Sequence, residues 1–291
     1  MTGTRPSEAN GIGGQLAIIG TGYRSIGDVT LEGSASLEQA DKVFFLVADP
    51  VTAKWIRDRN STAENLHPLY TQGKERRQTY SEMVEKILGS VRQGKFVTAA
   101  FYGHPGVFAF PPHEAIRRAR AEGFSARMLP AVSAEDWIFA DLGMDPAESG
   151  CQSFEATDFL VNRRMFDPTS LLVLWQVGMI GALDFQWRYE YGENWKVLIG
   201  ELLEQYPRDH QVAVYQISPY VICDPHIEWS RMDELSGLEV TPSSTLIIPP
   251  RARRISDEAM LKRLGMPTRS DGYRIVVASD GLGGSTGEVP L

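Results

Sequence analysis

The sequence predicts an α/β protein in which a parallel-sheet domain is followed by a mixed-sheet domain. Three observations lead there. Between residues 15 and 129, short apolar runs of strand character alternate with segments of helical periodicity, the order of a parallel sheet covered on both faces. Two of those runs break into glycine at their carboxyl ends, at Gly20-Thr21-Gly22 and at Tyr102-Gly103-His104-Pro105-Gly106, and an open α/β sheet places its ligand at that edge. After Pro130 the connections become longer and more irregular.

The bulk numbers bound the answer. A chain of 291 residues has room for roughly two domains of ~150 residues. With 43% hydrophobic and 23% charged residues it has the composition of a soluble globular protein. Its formal net charge of −8 argues against a nucleic-acid partner, which needs a basic stripe to neutralise phosphates. Cys151 and Cys223 lack the spacing of a disulfide framework or zinc site, and the five histidines show no HxxxH pattern. No serine sits in a GxSxG elbow, so neither a metal hydrolase nor a serine hydrolase has support. The N-terminal residues lack an apolar core and no apolar run reaches ~18 residues, so neither a signal peptide nor a membrane span is expected. A cytoplasmic protein follows.

Taken in order, residues 1–14 are small and polar with four glycines and predict a frayed tail. Strands at 15–19 and 43–48 enclose an amphipathic segment at 31–40, and Asp49-Pro50 opens the next helix, with Trp55 and Ile56 as its apolar contacts. Residues 74–92 form a helix whose stripe of Tyr80, Met83, Val84, Ile87, Leu88 and Val91 stops before Gly94. The continuous apolar run 95–101 is a buried strand, followed by a helix at 112–122 and a strand at 124–129. Pro130 ends that strand and Ser133 caps a helix at 134–142. Beyond it lie strands at 152–154, 170–177, 211–217, 226–229 and 245–248, with a helix at 195–205. From residue 251 a helical segment at 256–264 precedes a Gly/Ser-rich tail, 279–291, of expected disorder.

Two constellations carry chemistry. Gly20-Thr21-Gly22 lacks the rest of a dinucleotide fingerprint, and a plain tight turn is the competing reading. The 102–106 turn adds glycines that let backbone approach a ligand, a stiffening Pro105, and polar groups on Tyr102 and His104. Arg76 and Tyr80 stand four apart on one helical face, and because Tyr80 continues the buried stripe, Arg76 aims inward. A guanidinium beside a phenol favours phenolate. The alternative, an arginine that snorkels to water beside a core tyrosine, stays open. Tyr70, in the loop LHPLYTQ, is placed to face the same space, whereas Trp175, Trp187, Trp195 and Trp229 read as core and dimer contacts.

The runs LAIIGTG, AFYGHPGVF, LPAVSAEDWIFADLGMDP, GCQSFEATDF, LLVLWQVG and SSTLIIPP together resemble the tetrapyrrole-methylase superfamily of S-adenosylmethionine-dependent methyltransferases. Within it, YGHPGVF and RRQTY are most similar to the borosin peptide α-N-methyltransferases, which methylate backbone amides of a ribosomal precursor peptide. The resemblance covers roughly residues 15–250 and departs from the GxGPGD pattern of porphyrin and corrin enzymes, with Tyr23-Arg24 in place of Pro-Gly. It implies a class III methyltransferase fold of two α/β domains, 15–130 and 131–250, with S-adenosylmethionine in the cleft between them and S-adenosylhomocysteine as product. It also implies a homodimer, a heterotetramer when two precursor chains are bound.

By motif, the resemblance places the catalytic pair on Arg76 and Tyr80 and supporting tyrosines on Tyr70 and Tyr102. The cofactor site falls on Gly20, Gly22, Tyr102, His104, Gly106, Val107, Phe108, Ser133, Ala134, Gln176, Tyr215, Ser244 and Thr245. No metal is implied. An amide nitrogen is a poor nucleophile until it loses its proton and its oxygen takes up charge, which suits a base at Tyr80 and donors at Tyr70 and Tyr102. Only about forty residues follow the IIPP run, so the expected form is the split one, acting on a separate precursor. Methylation of a tetrapyrrole, a catalytically silent cofactor-binding partner, and entry of residues 273–278 into a neighbouring site as substrate or mimic are the alternatives.

Overall fold

The computed structural model describes residues 13–189, 192–251 and 256–267. Its first half alternates strand and helix: β1 (Gln15–Gly20), α1 (Leu31–Gln39), β2 (Lys42–Leu46), α2 (Pro50–Arg59), β3 (Glu64–Asn65), α3 (Arg76–Arg92), β4 (Phe96–Phe101), α4 (Phe110–Ala121) and β5 (Ser125–Met128). The strands form one all-parallel sheet in the order β3-β2-β4-β1-β5. Leu16, Ile18, Val97 and Ala99 face Met83, Ile87 and Leu88 of α3 and Ala115 of α4. Ile19, Val43, Phe45 and Ala100 face Leu37 of α1 and Ile56 of α2. Both faces are therefore covered, which is why these strands read as continuous apolar runs.

The second half contains α5 (Ala134–Leu142), α6 (Pro146–Ser149), β6 (Cys151–Glu155), α7 (Ala156–Val161), β7 (Leu171–Trp175), α8 (Gly192–Leu203), β8 (Gln211–Gln216), β9 (His226–Arg231), β10 (Thr245–Ile248) and α9 (Glu258–Arg263). Its sheet runs β6-β7-β10-β8-β9, parallel between β6 and β7 and antiparallel elsewhere, so it is mixed. Trp195 and Leu198 of α8 pack on Leu172, Val214 and Leu246.

Several elements depart from their sequence readings for local reasons. Helix α4 starts at Phe110 because Pro111 and Pro112 sit in its first turn, where proline lacks only a donor that would be orphaned anyway. Helices α6 and α7 were not expected: each is too short for a periodic stripe and is set by a cap, Asp145 accepting from Ala147 N and Glu155 from Asp158 N. The expected tail 1–14 lies outside the described residues except at Gly13 and Gly14. Gly14 is not frayed but buried, where a Cβ would lie 2.0 Å from the Val91 carbonyl oxygen. The expected tail 279–291 and residues 273–278 also lie outside the described residues. Among the described residues no helix is long and apolar enough to cross a membrane.

Two ties join the sheets. At one, Gly73 N donates to Phe185 O (2.7 Å), Phe185 N to Lys74 O (2.9 Å) and Arg76 N to Leu183 O (3.1 Å), which makes an antiparallel bridge between Glu75 and Asp184. At the other, Asp28 Oδ2 accepts from Tyr23 N, Arg24 N and the Trp137 indole (2.9, 3.0 and 2.9 Å). There the Arg24 guanidinium lies 3.8 Å from the Trp137 ring centre, and Ser25 N donates to Pro219 O (2.8 Å).

Candidate active site

The two sheets enclose a cleft of about 450 Å³ at the carboxyl edge of the first. That volume falls within the roughly 300–1,000 Å³ of small-molecule sites. Its floor is the turn after β4. Gly22 and Gly103 hydrogen-bond to each other's backbone, Gly103 N to Gly22 O (2.7 Å) and Gly22 N to Gly103 O (3.3 Å), so the two glycine turns noted in the sequence are one paired structure. Both residues have positive φ, 66° and 65°, where a side chain would be strained. A Cβ on Gly20 would lie 2.3 Å from Gly103 O and 2.7 Å from Pro105 Cδ, so β1 supports the turn from behind. His104 Nδ1 accepts from Gly106 N (3.0 Å), which curls the turn and leaves Val107 and Phe108 facing the cleft.

Arg76, Tyr80, Tyr70 and Tyr102 all line this space. Arg76 and Tyr80 arrive on the first turns of α3, Tyr70 follows the 3₁₀ turn His67–Leu69, and Tyr102 directly follows β4. Tyr70 and Tyr80 both reach the first sheet's apolar cluster from its edge. The Tyr70 ring lies 5.0 Å from Phe185, and Tyr102 meets Tyr23 edge-on at 5.8 Å. Burial raises the Tyr70 pKa, and the neighbouring phenols Tyr80 and Tyr102 raise it further against the pull of Arg76. Tyr102 is also raised, by desolvation first and then by Tyr23 and Tyr80. Tyr102 keeps 44% of its surface accessible, so that effect is complete only when a bound molecule displaces water from the cleft. Both residues are held as phenols, hence as hydrogen-bond donors.

Arg76 and Tyr80 line the cleft together from one face of α3, and among the described residues no hydrogen bond joins them. The Arg76 guanidinium donates to the Tyr189 hydroxyl (3.0 Å) and the Met179 sulfur (3.6 Å), both from the second half of the chain. Helical spacing put Arg76 on the right face but carried no information about a partner more than a hundred residues away.

Of the expected cofactor residues, Tyr102, His104, Val107, Phe108, Ser133, Ala134, Gln176, Tyr215 and Thr245 line the cleft, whereas Gly20, Gly22, Gly106 and Ser244 do not. Ser244 is fully buried and accepts from Gln216 Nε2 and Thr241 N (both 2.8 Å), holding the loop before β10. Ser133 forms a capping box with Asp136 at α5. Gln176 takes a left-handed backbone, φ 58° and ψ 37°, as β7 ends. Tyr215 donates to Asp141 Oδ2 (2.7 Å); burial and that carboxylate raise its pKa.

The sequence reading missed Tyr23, Glu155, Met179, Gln186, Ile217, Pro242 and Ser243, and with them the aromatic wall of Phe185, Trp187 and Tyr189. Trp187 and Trp175, read as core and dimer contacts, both line the cleft; Trp175 is also core, with its ring 5.6 Å from Phe108. Trp195 is core as expected. The alternate aromatics of Phe185, Trp187 and Tyr189 were the available signal, since in an extended segment they share one side.

Residues 15–217 match the family described as Tetrapyrrole (Corrin/Porphyrin) Methylases. A protein of Coprinopsis marcescibilis named as a methyltransferase/ribosomally synthesized type I borosin cyclic peptide precursor is 44% identical over 250 residues, 84% of this chain and 64% of that one. The methyltransferase/cyclic peptide omphalotin A precursor of Omphalotus olearius is 41% identical over 255 residues, covering 86% and 61%. A type III borosin precursor of Anomoporia bombycina is 42% identical over 267 residues, 90% of this chain but 31% of that one. The chain thus spans 31% to 64% of the length of these relatives. In fold it is similar to uroporphyrin-III-C-methyltransferase from Thermus thermophilus, with a TM-score of 0.59, 16% identity and coverage of 89% and 99%. Diphthine synthase aligns with a TM-score of 0.56 at 14% identity, covering 82% of this chain and 91% of its own.

Proposed function

The chain belongs to the tetrapyrrole (corrin/porphyrin) methylases, and on that premise we propose that it methylates backbone amide nitrogens of a ribosomally made precursor peptide, using S-adenosylmethionine. The observation that carries this reading is the cluster of Arg76, Tyr80, Tyr70 and Tyr102 around one cleft. The relatives named as borosin methyltransferase/precursor proteins support the substrate class. A homodimer, with two precursor chains bound as separate molecules in the cytoplasm, belongs to the same proposal.

The cleft suits the methyl donor. Backbone at Gly103 lies open to it because no Cβ stands there, and His104, Ser133, Gln176 and Thr245 offer polar groups beside apolar Val107, Ala134 and Ile217. Phenol rings at Tyr70, Tyr80 and Tyr102 give a sulfonium aromatic surface, which attracts cations. When bound, S-adenosylmethionine supplies an electrophilic methyl group.

This chain's residues supply the rest. An amide lone pair is spent on the carbonyl, so the nitrogen must lose its proton while charge gathers on oxygen. Tyr80, which lines the cleft with Tyr70 and Arg76, is the base that takes the proton, acting as the phenolate. Tyr70, kept protonated by burial, and Tyr102, once a bound molecule covers it, donate to the developing oxyanion beside the Arg76 guanidinium. Each such donor contributes about 3 kcal/mol.

The test incubates the protein with S-adenosylmethionine and short apolar peptides offered as separate chains, followed by tandem mass spectrometry. One added methylene per modified amide, localised to backbone nitrogen and matched by S-adenosylhomocysteine, is the expected result. Methylation of a uroporphyrinogen in place of peptides would establish the tetrapyrrole reading, and binding of S-adenosylhomocysteine without turnover of either would establish a silent partner.

A further inference from the structure

We propose that Tyr189 is the positioning residue of Arg76, so that the second half of the chain sets the orientation of a guanidinium supplied by the first. The inference rests on the function proposed above for its kinetic consequences, but not for its geometry.

Arg76 is the first residue of α3, where the helix dipole presents positive charge and a cation gains no support. Among the described residues it makes no ion pair. Its Nη2 donates to neutral atoms, the Tyr189 hydroxyl at 3.0 Å and the Met179 sulfur at 3.6 Å, and its centre lies 5.5 Å from the Tyr189 ring. The Tyr189 hydroxyl is itself fully committed. It accepts from Gln186 N (3.0 Å) as well as from Arg76, and donates to Asp184 O (3.2 Å). A hydroxyl has one proton and two lone pairs, so all three capacities are used and it has no freedom to swivel.

The segment that carries Tyr189 is fixed in turn. Besides the backbone bridge to residues 73–76, Trp187 N donates to Gln72 Oε1 (2.9 Å), and the Gln72 and Gln186 side chains hydrogen-bond to each other. One stretch of chain thus touches Tyr70 through Phe185 and Arg76 through Tyr189. The choice of a phenol has a chemical consequence. A carboxylate at this position would neutralise the guanidinium, whereas a hydroxyl orients it and leaves its charge for an oxygen in the cleft.

Side-chain arginine spectra with ¹⁵N label, in the presence of S-adenosylhomocysteine, test the geometry without any turnover. The Arg76 signal is assigned by its loss in Arg76→Lys. Separated, slowly exchanging guanidinium protons are expected in the wild type, collapsing to one averaged signal in Tyr189→Phe. Tyr189→Gln, which keeps an acceptor for Arg76, retains the separation. An Arg76 signal identical in wild type and Tyr189→Phe, or a collapse in Tyr189→Gln equal to that in Tyr189→Phe, overturns the proposal.

Kinetics read the same coupling. Tyr189→Phe lowers kcat about ten- to a hundredfold with KM for S-adenosylmethionine unchanged, the scale of a small misplacement of a catalytic group. The double variant with Arg76→Lys is no slower than Arg76→Lys alone, and additive losses count against the proposal. Absence of peptide methylation by the wild type defeats the proposed function and leaves the spectra to decide the positioning of Arg76.

Discussion

At the cleft, two of the lining phenols meet surroundings that favour their neutral forms. Tyr70 and Tyr102 keep their protons, because burial and neighbouring phenols penalise their charged forms more than Arg76 relieves them. If Tyr102 donates to an oxyanion, Tyr102→Phe lowers kcat by about 10²- to 10³-fold, as for one lost oxyanion-hole donor. Affinity for S-adenosylhomocysteine, measured by calorimetry, stays within about twofold of wild type. A variant with unimpaired turnover removes Tyr102 from the oxyanion site. The raised phenols also fix the alkaline limit of stability. Tyr23, Tyr70 and Tyr215 bind their protons more tightly folded than unfolded. Their contribution is therefore complete below the ordinary tyrosine value of about 10 and is lost as pH rises beyond it. Urea midpoints across that range should fall above about pH 10; a rise there contradicts the assignment. At this scale the sequence was legible where the lining residues share one element, as with Arg76 and Tyr80 four apart on α3. It was silent where a contact joins two, as with Arg76 and Tyr189.

Strand ends and helix starts form the cleft walls, and their precision rests on small residues and caps. Gly20 is one such tight point: a Cβ there meets Gly103 O, Ala131 Cβ and Pro105 Cδ, none of them the far end of a flexible chain. Gly20→Ala must push the 103–105 turn into the cleft, at a cost of about 1–3 kcal/mol of stability. A loss of S-adenosylhomocysteine affinity should accompany it; unchanged affinity in a folded variant would mean that the turn does not contact the cofactor. Long elements with a strong period, such as α3 and β4, were readable because their pattern repeats. The short helices α6 and α7 and the two-residue β3 were not, since a single cap or a pairing such as Phe44 with Glu64 defines each. The 102–108 turn stood out by its glycines, but its pairing with Gly22 is a register between separate strand ends.

For the whole molecule, the alternation of strands and helices and the change of character after Pro130 sufficed to separate a parallel sheet from a mixed one. How the sheets meet could not be read, because the contacts come from loops. Tyr23 and Arg24 illustrate this: in sequence they are a departure from a family pattern, and in the structure they belong to the Asp28 tie and place Tyr23 against Tyr102. Asp28→Ala strands three N–H donors and should cost about 2–3 kcal/mol in urea unfolding. It should also weaken S-adenosylhomocysteine binding several-fold. Full stability in that variant would show that the tie is incidental.

The other tie, between residues 73–76 and 183–185, turns the cleft's opening into something that can be timed. The amides of Gly73, Arg76 and Phe185 are spent on the bridge, so their hydrogens reach water only when the sheets part on that side. Deuterium exchange at these three positions is therefore a clock for jaw-like opening. If substrate enters as the jaws swing apart, the three exchange together and faster with peptide turnover. If a chain is instead drawn endwise past the exposed rings of Phe108 and Trp187, it passes while the clock stands still.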